Sequence, residues 1–214
     1  MSQCQCQSID ETFDRLLAEQ QMGKLRRRGP QKTTRILLDA LKKHGVANRT
    51  LLDIGGGIGT IQHDLLAAGA TEATSVDASS AYLAVSRAEA ERLGQAGRIH
   101  YYYGNFVELA PGIPTADIVT LDRVICCFDE MEVLVGVSSA KARGIYGVVY
   151  PRSTWWVRLG VALANLRLAL LGNPFRIFTH DSAAVEEVIR AQGLSRVAHH
   201  TAGMWQVALF ARAS

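Results

Sequence analysis

The chain has little charge imbalance, no long apolar run and few cysteines. Its 23 Lys and Arg against 20 Asp and Glu leave a formal net charge of +3, too small to point to nucleic acid. No stretch has the uninterrupted apolar length of a membrane-spanning helix. The first residues, MSQCQCQSIDE, lack a basic-then-apolar secretory signal. A cytoplasmic protein with reduced thiols and no integral membrane association is expected. The cysteines stand as two close pairs, Cys4/Cys6 and Cys126/Cys127. Neither C-x-C nor C-C is a common zinc spacing, and no metal site is predicted. HExxH, GxSxG and P-loop patterns are missing, so metalloprotease, hydrolase and NTPase readings drop out. There is no internal repeat or low-complexity linker. What remains is the composition of an ordinary globular chain, 48% hydrophobic and 20% charged, long enough for a substantial core.

The most informative stretch is LLDIGGGIGT at residues 51–60. Its apolar start fits a buried parallel strand. Gly55, Gly57 and Gly59 then allow a sharp turn and a close approach of backbone to ligand. A dinucleotide fingerprint, G-x-G-x-x-G, counted from Gly55 needs glycine where Thr60 stands. The pattern is instead D-x-G-x-G-x-G from Asp53 to Gly59. Asp77 ends the next apolar run, eighteen residues beyond Gly59. At that place in a doubly wound sheet an acid can bind a ribose diol.

From residue 50 onward strand and helix signals alternate. Strands are predicted at 50–54, 73–77, 98–103, 116–121, 145–150, 196–201 and 205–212, with helices at 61–69, 79–94, 129–143 and 181–193. Ser79 or Ser80 caps the second of these helices and Asp181 the last. Before residue 50, helices are predicted over 10–22 and 31–44, with breaks at Gly23 and at Gly29-Pro30. This alternation predicts an α/β fold with a doubly wound, mostly parallel sheet and its ligand crevice at the carboxyl ends of the strands.

Taken together, LLDIGGGIGT, SVDAS, the GNF of Gly104–Phe106 and an acid, Asp122, after strand four resemble the class I S-adenosylmethionine (SAM) methyltransferases. The resemblance implies a seven-stranded Rossmann-like sheet with one antiparallel strand, SAM as cofactor, an N-terminal helical cap over 1–48 and a SAM-binding unit over 49–214. It further implies that Asp53, Gly55, Gly57, Gly59, Asp77, Asn105 and Phe106 bind the cofactor. Asn105 departs from the family, where an acid usually meets the adenine amino group; an amide can keep that contact without charge. Phe106 can pack on the purine, although a polar turn followed by a core phenylalanine explains GNF equally well. Length and layout are also similar to the magnesium-protoporphyrin O-methyltransferase group, whose substrate is not carried over.

For chemistry, Asp122 is expected near the reactive methyl group, as attractor of the sulfonium or as general base. Arg123 is its salt-bridge partner or an anion anchor. His180 is a second candidate proton acceptor and Tyr150 a weaker one. Basic residues from Lys24 to Arg35 form a solvated face or attract an anionic acceptor or a membrane surface. The 153–175 segment is apolar nearly all round, and Trp155 and Trp156 can wall an aromatic acceptor. The expected activity is methyl transfer to a heteroatom of a small molecule, anionic or aromatic. One alternative is a thiol or arsenite-like acceptor held by Cys126/Cys127 with Cys4/Cys6. Another is a SAM-binding sensor without catalysis.

Overall fold

The computed structural model describes residues 9, 10 and 12–212; Cys4 and Cys6 lie outside that range. Residues 9, 10 and 12 are helical, and the helices α1 Arg15–Arg28 and α2 Lys32–Lys43 follow. The alternating body follows as β1 Thr50–Ile54, α3 Thr60–Ala67, β2 Glu72–Asp77, α4 Ser80–Arg92 and β3 Ile99–Tyr103. A short helix α5 Phe106–Leu109 leads to β4 Ala116–Asp122, α6 Met131–Ala140 and β5 Ala142–Pro151. The chain closes with α7 Trp155–Leu170, α8 Ser182–Ala191, β6 Leu194–Ala202 and β7 Trp205–Arg212.

The seven strands run in the order β3-β2-β1-β4-β5-β7-β6. β1 to β5 are parallel, and β7 inserts antiparallel between β5 and β6. Order reverses at β1, so the switch-point crevice opens at the carboxyl ends of β1 and β4. Each face of the sheet has its own core. Leu37, Leu38 and Leu41 of α2 pack with Leu65 of α3, Ile118 and Val149 on one face. Leu134 and Val135 of α6 pack with Val185 and Ile189 of α8, Val119 and Tyr146 on the other. Burial on both faces explains why β1 and β4 read as continuous apolar runs.

Some boundaries differ from the sequence reading for local reasons. The helical signal at 10–22 is interrupted near residues 13 and 14; α1 begins after Asp14, whose Oδ1 accepts the Leu17 amide at 2.8 Å, and it passes through Gly23. One interior glycine costs about 1 kcal/mol; Ala18 and Met22, buried against Ile58 and Tyr82, offset it. The helix stops at Gly29, φ 72°, whose amide returns to the Leu25 carbonyl. The short helix α5 arises because Asn105 caps it. Ser79 and Asp181 cap α4 and α8.

Candidate active site

A cavity of about 770 Å³ lies along the carboxyl edge of the sheet, roofed by α1 and α7. Its floor is the loop from β1 into α3. Gly55 and Gly59 adopt φ of 64° and 85°, a region that L side chains rarely enter. A Cβ on Gly55 would lie 2.3 Å from Val124 Cγ2, and one on Gly59 would lie 2.5 Å from Ser86 Oγ. The loop is closed because only hydrogen atoms fit at these two contacts.

Beneath it Asp53 is 1% exposed. Its Oδ1 accepts from Thr120 Oγ1 at 2.7 Å, whereas the buried Oδ2 has no partner among the described residues. A Cβ on Gly56 would stand 3.2 Å from that oxygen, so the orphaned acceptor lies directly under the turn. Burial raises the Asp53 carboxyl to about 7, with the neighbouring charges of Asp122 and Asp77 adding to the rise.

A carboxyl whose folded pKa exceeds its unfolded value favours the protonated folded state. Its contribution to stability therefore falls as pH rises from about 4 to about 7. Near pH 8 ionised Asp53 opposes folding by up to about 4 kcal/mol. Asp53→Asn is expected to raise the thermal midpoint above pH 7 and to raise it by less than half as much at pH 5. Scanning calorimetry at the two pH values checks this; a variant less stable than the wild type at pH 8 contradicts it.

Asp77 ends β2 beside the loop. Its Oδ2 accepts the Gly57 amide and its Oδ1 the Ser79 amide, both at 2.8 Å. Burial pushes its carboxyl up, and these amides oppose the rise. The Ala78 amide opposes it as well, which leaves one of the four lone-pair sites for a ribose hydroxyl. After β3, Asn105 Oδ1 accepts the Val107 amide at 3.1 Å and Nδ2 donates to Glu108 Oε1 at 2.9 Å. Asn105 thus serves as a helix cap while lining the cavity. Phe106 also lines it, although most of its ring belongs to the core.

Asp122 and Arg123 follow β4. Asp122 accepts from Thr34 Oγ1 at 2.5 Å and from Arg123 Nε at 3.0 Å. The Arg123 guanidinium also donates to Gln31 Oε1 at 2.5 Å and leans toward Thr34 Oγ1 at 3.4 Å. Its backbone is left-handed, φ 63°, a strain of about 1–2 kcal/mol for a side-chain-bearing residue. Gln31 and Thr34 were not legible as site residues, since nothing in QKTTR marks which side chains turn toward a strand ninety positions later.

Other candidates fall elsewhere. His180 Nε2 sits 2.7 Å from the Phe128 carbonyl and 3.1 Å from that of Ile125. These contacts assign the proton to Nε2, and the ring is outside the cavity lining, so it braces the loop after β4. Tyr150 is buried in the core, its phenol pushed up to about 12. Cys126 and Cys127 are thiols that line the cavity, and both approach the Arg123 carbonyl. Among the described residues no group of three or more His, Cys, Asp or Glu could hold a metal ion. The basic cluster divides: Lys24 lines the cavity, Arg26 pairs with Glu89, and Arg35 donates to the Pro30 carbonyl.

Residues 20–113 match the family model of the methyltransferase small domain. Among solved structures, the magnesium protoporphyrin IX methyltransferase of Synechocystis with bound S-adenosylhomocysteine superposes with a TM-score of 0.68. The two are 16% identical, over 86% of this chain and 82% of that one. The chain has the fold of the class I methyltransferases. An O-methyltransferase family protein from Burkholderia thailandensis gives a TM-score of 0.67 at 19% identity, over 85% of this chain and 56% of the other. A protein from Planctomyces limnophilus, of O-methyltransferase family 2 and in complex with apigenin, gives 0.62 at 17%, over 89% and 64%. No curated protein sequence matches this chain.

Proposed function

We propose that this methyltransferase moves the methyl group of SAM to an anionic oxygen, a carboxylate, on an apolar molecule. The cradle fits the donor: a glycine turn that a Cβ would fill, an acid at the ribose position, and an orphaned carboxylate oxygen beneath the turn. When bound, SAM supplies an electrophilic sulfonium methyl group. The chain then has to align the acceptor and exclude water. Positioning of this kind contributes roughly 7–11 kcal/mol.

The observation that carries the acceptor class is the pairing of Asp122 with Thr34 and Arg123. The Asp122 carboxylate is already engaged by Thr34 and Arg123, and His180 faces carbonyls outside the cavity lining. An acceptor that arrives deprotonated needs neither. The rest of the cavity agrees. Arg123 makes four contacts with five N–H donors, so one is left for an anion, and Lys24 stands nearby in the lining. Leu17, Leu25, Trp156, Val161 and Phe175 make the remaining wall apolar. Phe13 joins it edge-on to Phe175, ring centroids 5.7 Å apart.

The test is S-adenosylhomocysteine release with apolar carboxylic acids and their amides. Acids are expected to turn over and amides not, with a rate nearly flat across mildly alkaline pH. Arg123→Gln is expected to raise the acceptor KM by about tenfold or more while SAM affinity holds. Faster turnover of hydroxyl or amine acceptors, climbing with the ionisation of an enzyme group, would count against a carboxylate.

A further inference from the structure

Helix α7 has two apolar faces. Val157, Gly160, Val161 and Ala164 line the cavity. On the opposite side Trp155, Leu159, Leu163, Leu166 and Leu170 point outward, each between 54% and 79% exposed. At about 100° per residue these five fall within an arc of about 80°, a continuous stripe rather than scattered exposure. Exposed Arg158 and Arg167 flank the stripe on either side.

The segment that carries this stripe has charge of one sign. From Pro151 to His180 there is no Asp or Glu, against Arg152, Arg158, Arg167 and Arg176. A second copy is a poor occupant, because a two-fold pairing of this face would oppose arginine to arginine with no acid on the segment itself. Spanning is also ruled out: sixteen residues reach about 24 Å against a hydrocarbon core of about 30 Å. Among the described residues no helix is long and apolar enough to cross a membrane. An anionic bilayer surface matches both features. It receives an apolar stripe a few ångströms deep, accommodates Trp155 at the headgroup level, and pairs with arginines that reach up from the flanks.

We propose that the outer face of α7 binds peripherally to anionic membranes, with the helix in the plane of the interface. Because its inner face walls the cavity, the acceptor end then lies against the bilayer, where apolar acceptors concentrate. The docking itself does not depend on which acceptor is methylated, so it can fail while the functional reading stands, and the reverse.

The experiment is sedimentation of the full chain with phosphatidylcholine vesicles, with and without about a third phosphatidylglycerol. The protein is expected to pellet with anionic vesicles, to be released by high salt, and to stay in solution with neutral ones. Arg158→Gln and Arg167→Gln are each expected to weaken binding about fivefold. Leu163→Glu, at an exposed position outside the cavity lining, is expected to weaken it about tenfold or more. Circular dichroism should be unchanged, as should turnover of a water-soluble acceptor. Absence of pelleting, equal binding to neutral vesicles, or wild-type binding by Leu163→Glu would overturn the proposal. So would a dimer in light scattering that Leu163→Glu dissolves, which would assign the face to a second copy.

Discussion

Asp77→Ala is expected to lower SAM affinity by about 10- to 10²-fold, the loss of one charge-assisted hydrogen bond at about 1.5–3 kcal/mol. The substitution removes the acceptor for the ribose and also leaves the Gly57 and Ser79 amides without their carboxylate. The floor of the cradle therefore loosens as well as losing a contact. Asp77→Asn separates the effects, since its amide oxygen can keep one of the two backbone contacts without the charge. Isothermal titration with SAM and with S-adenosylhomocysteine is the measurement. Affinity within a few-fold of wild type in Asp77→Ala would remove the acid from the cofactor site.

Gly59→Ala is expected to give the largest loss of stability, about 2–5 kcal/mol. A left-handed alanine accounts for about 1–2 kcal/mol, and the forced contact for a further 1–3 kcal/mol. The new methyl meets Ser86 Oγ and, at 2.6 Å, His63 Nε2. Both side chains are buried, at 0% and 7% exposure, so neither has room to retreat. Gly97→Ala is the control. It has nothing within 4 Å of its added Cβ, and is expected to unfold at the wild-type denaturant concentration. Urea titration of the pair gives the difference directly, and equal midpoints would mean that the loop can reshape around a side chain.

The same two positions show why the cradle was readable from sequence. A glycine required by φ and by lack of space leaves its mark in the chain itself, as does an acid at a fixed distance along the next strand. The strands at 50–54 and 205–212 were legible because burial on both faces, or an apolar run against a turn, is a local property. Asp122 and His180 are different. Their roles depend on Thr34, 88 positions away, and on carbonyls 52 and 55 positions away. A single sequence shows that these residues can exchange protons, but not that each is already engaged. The passage of α1 through Gly23 was hidden for a related reason, since the packing that tolerates it comes from Ile58 and Tyr82.

The hold of Asp77 on Gly57 has one further consequence. The acid and the turn are joined before any ligand arrives, so the shape of the floor is set in advance and little of it has to rearrange when something docks.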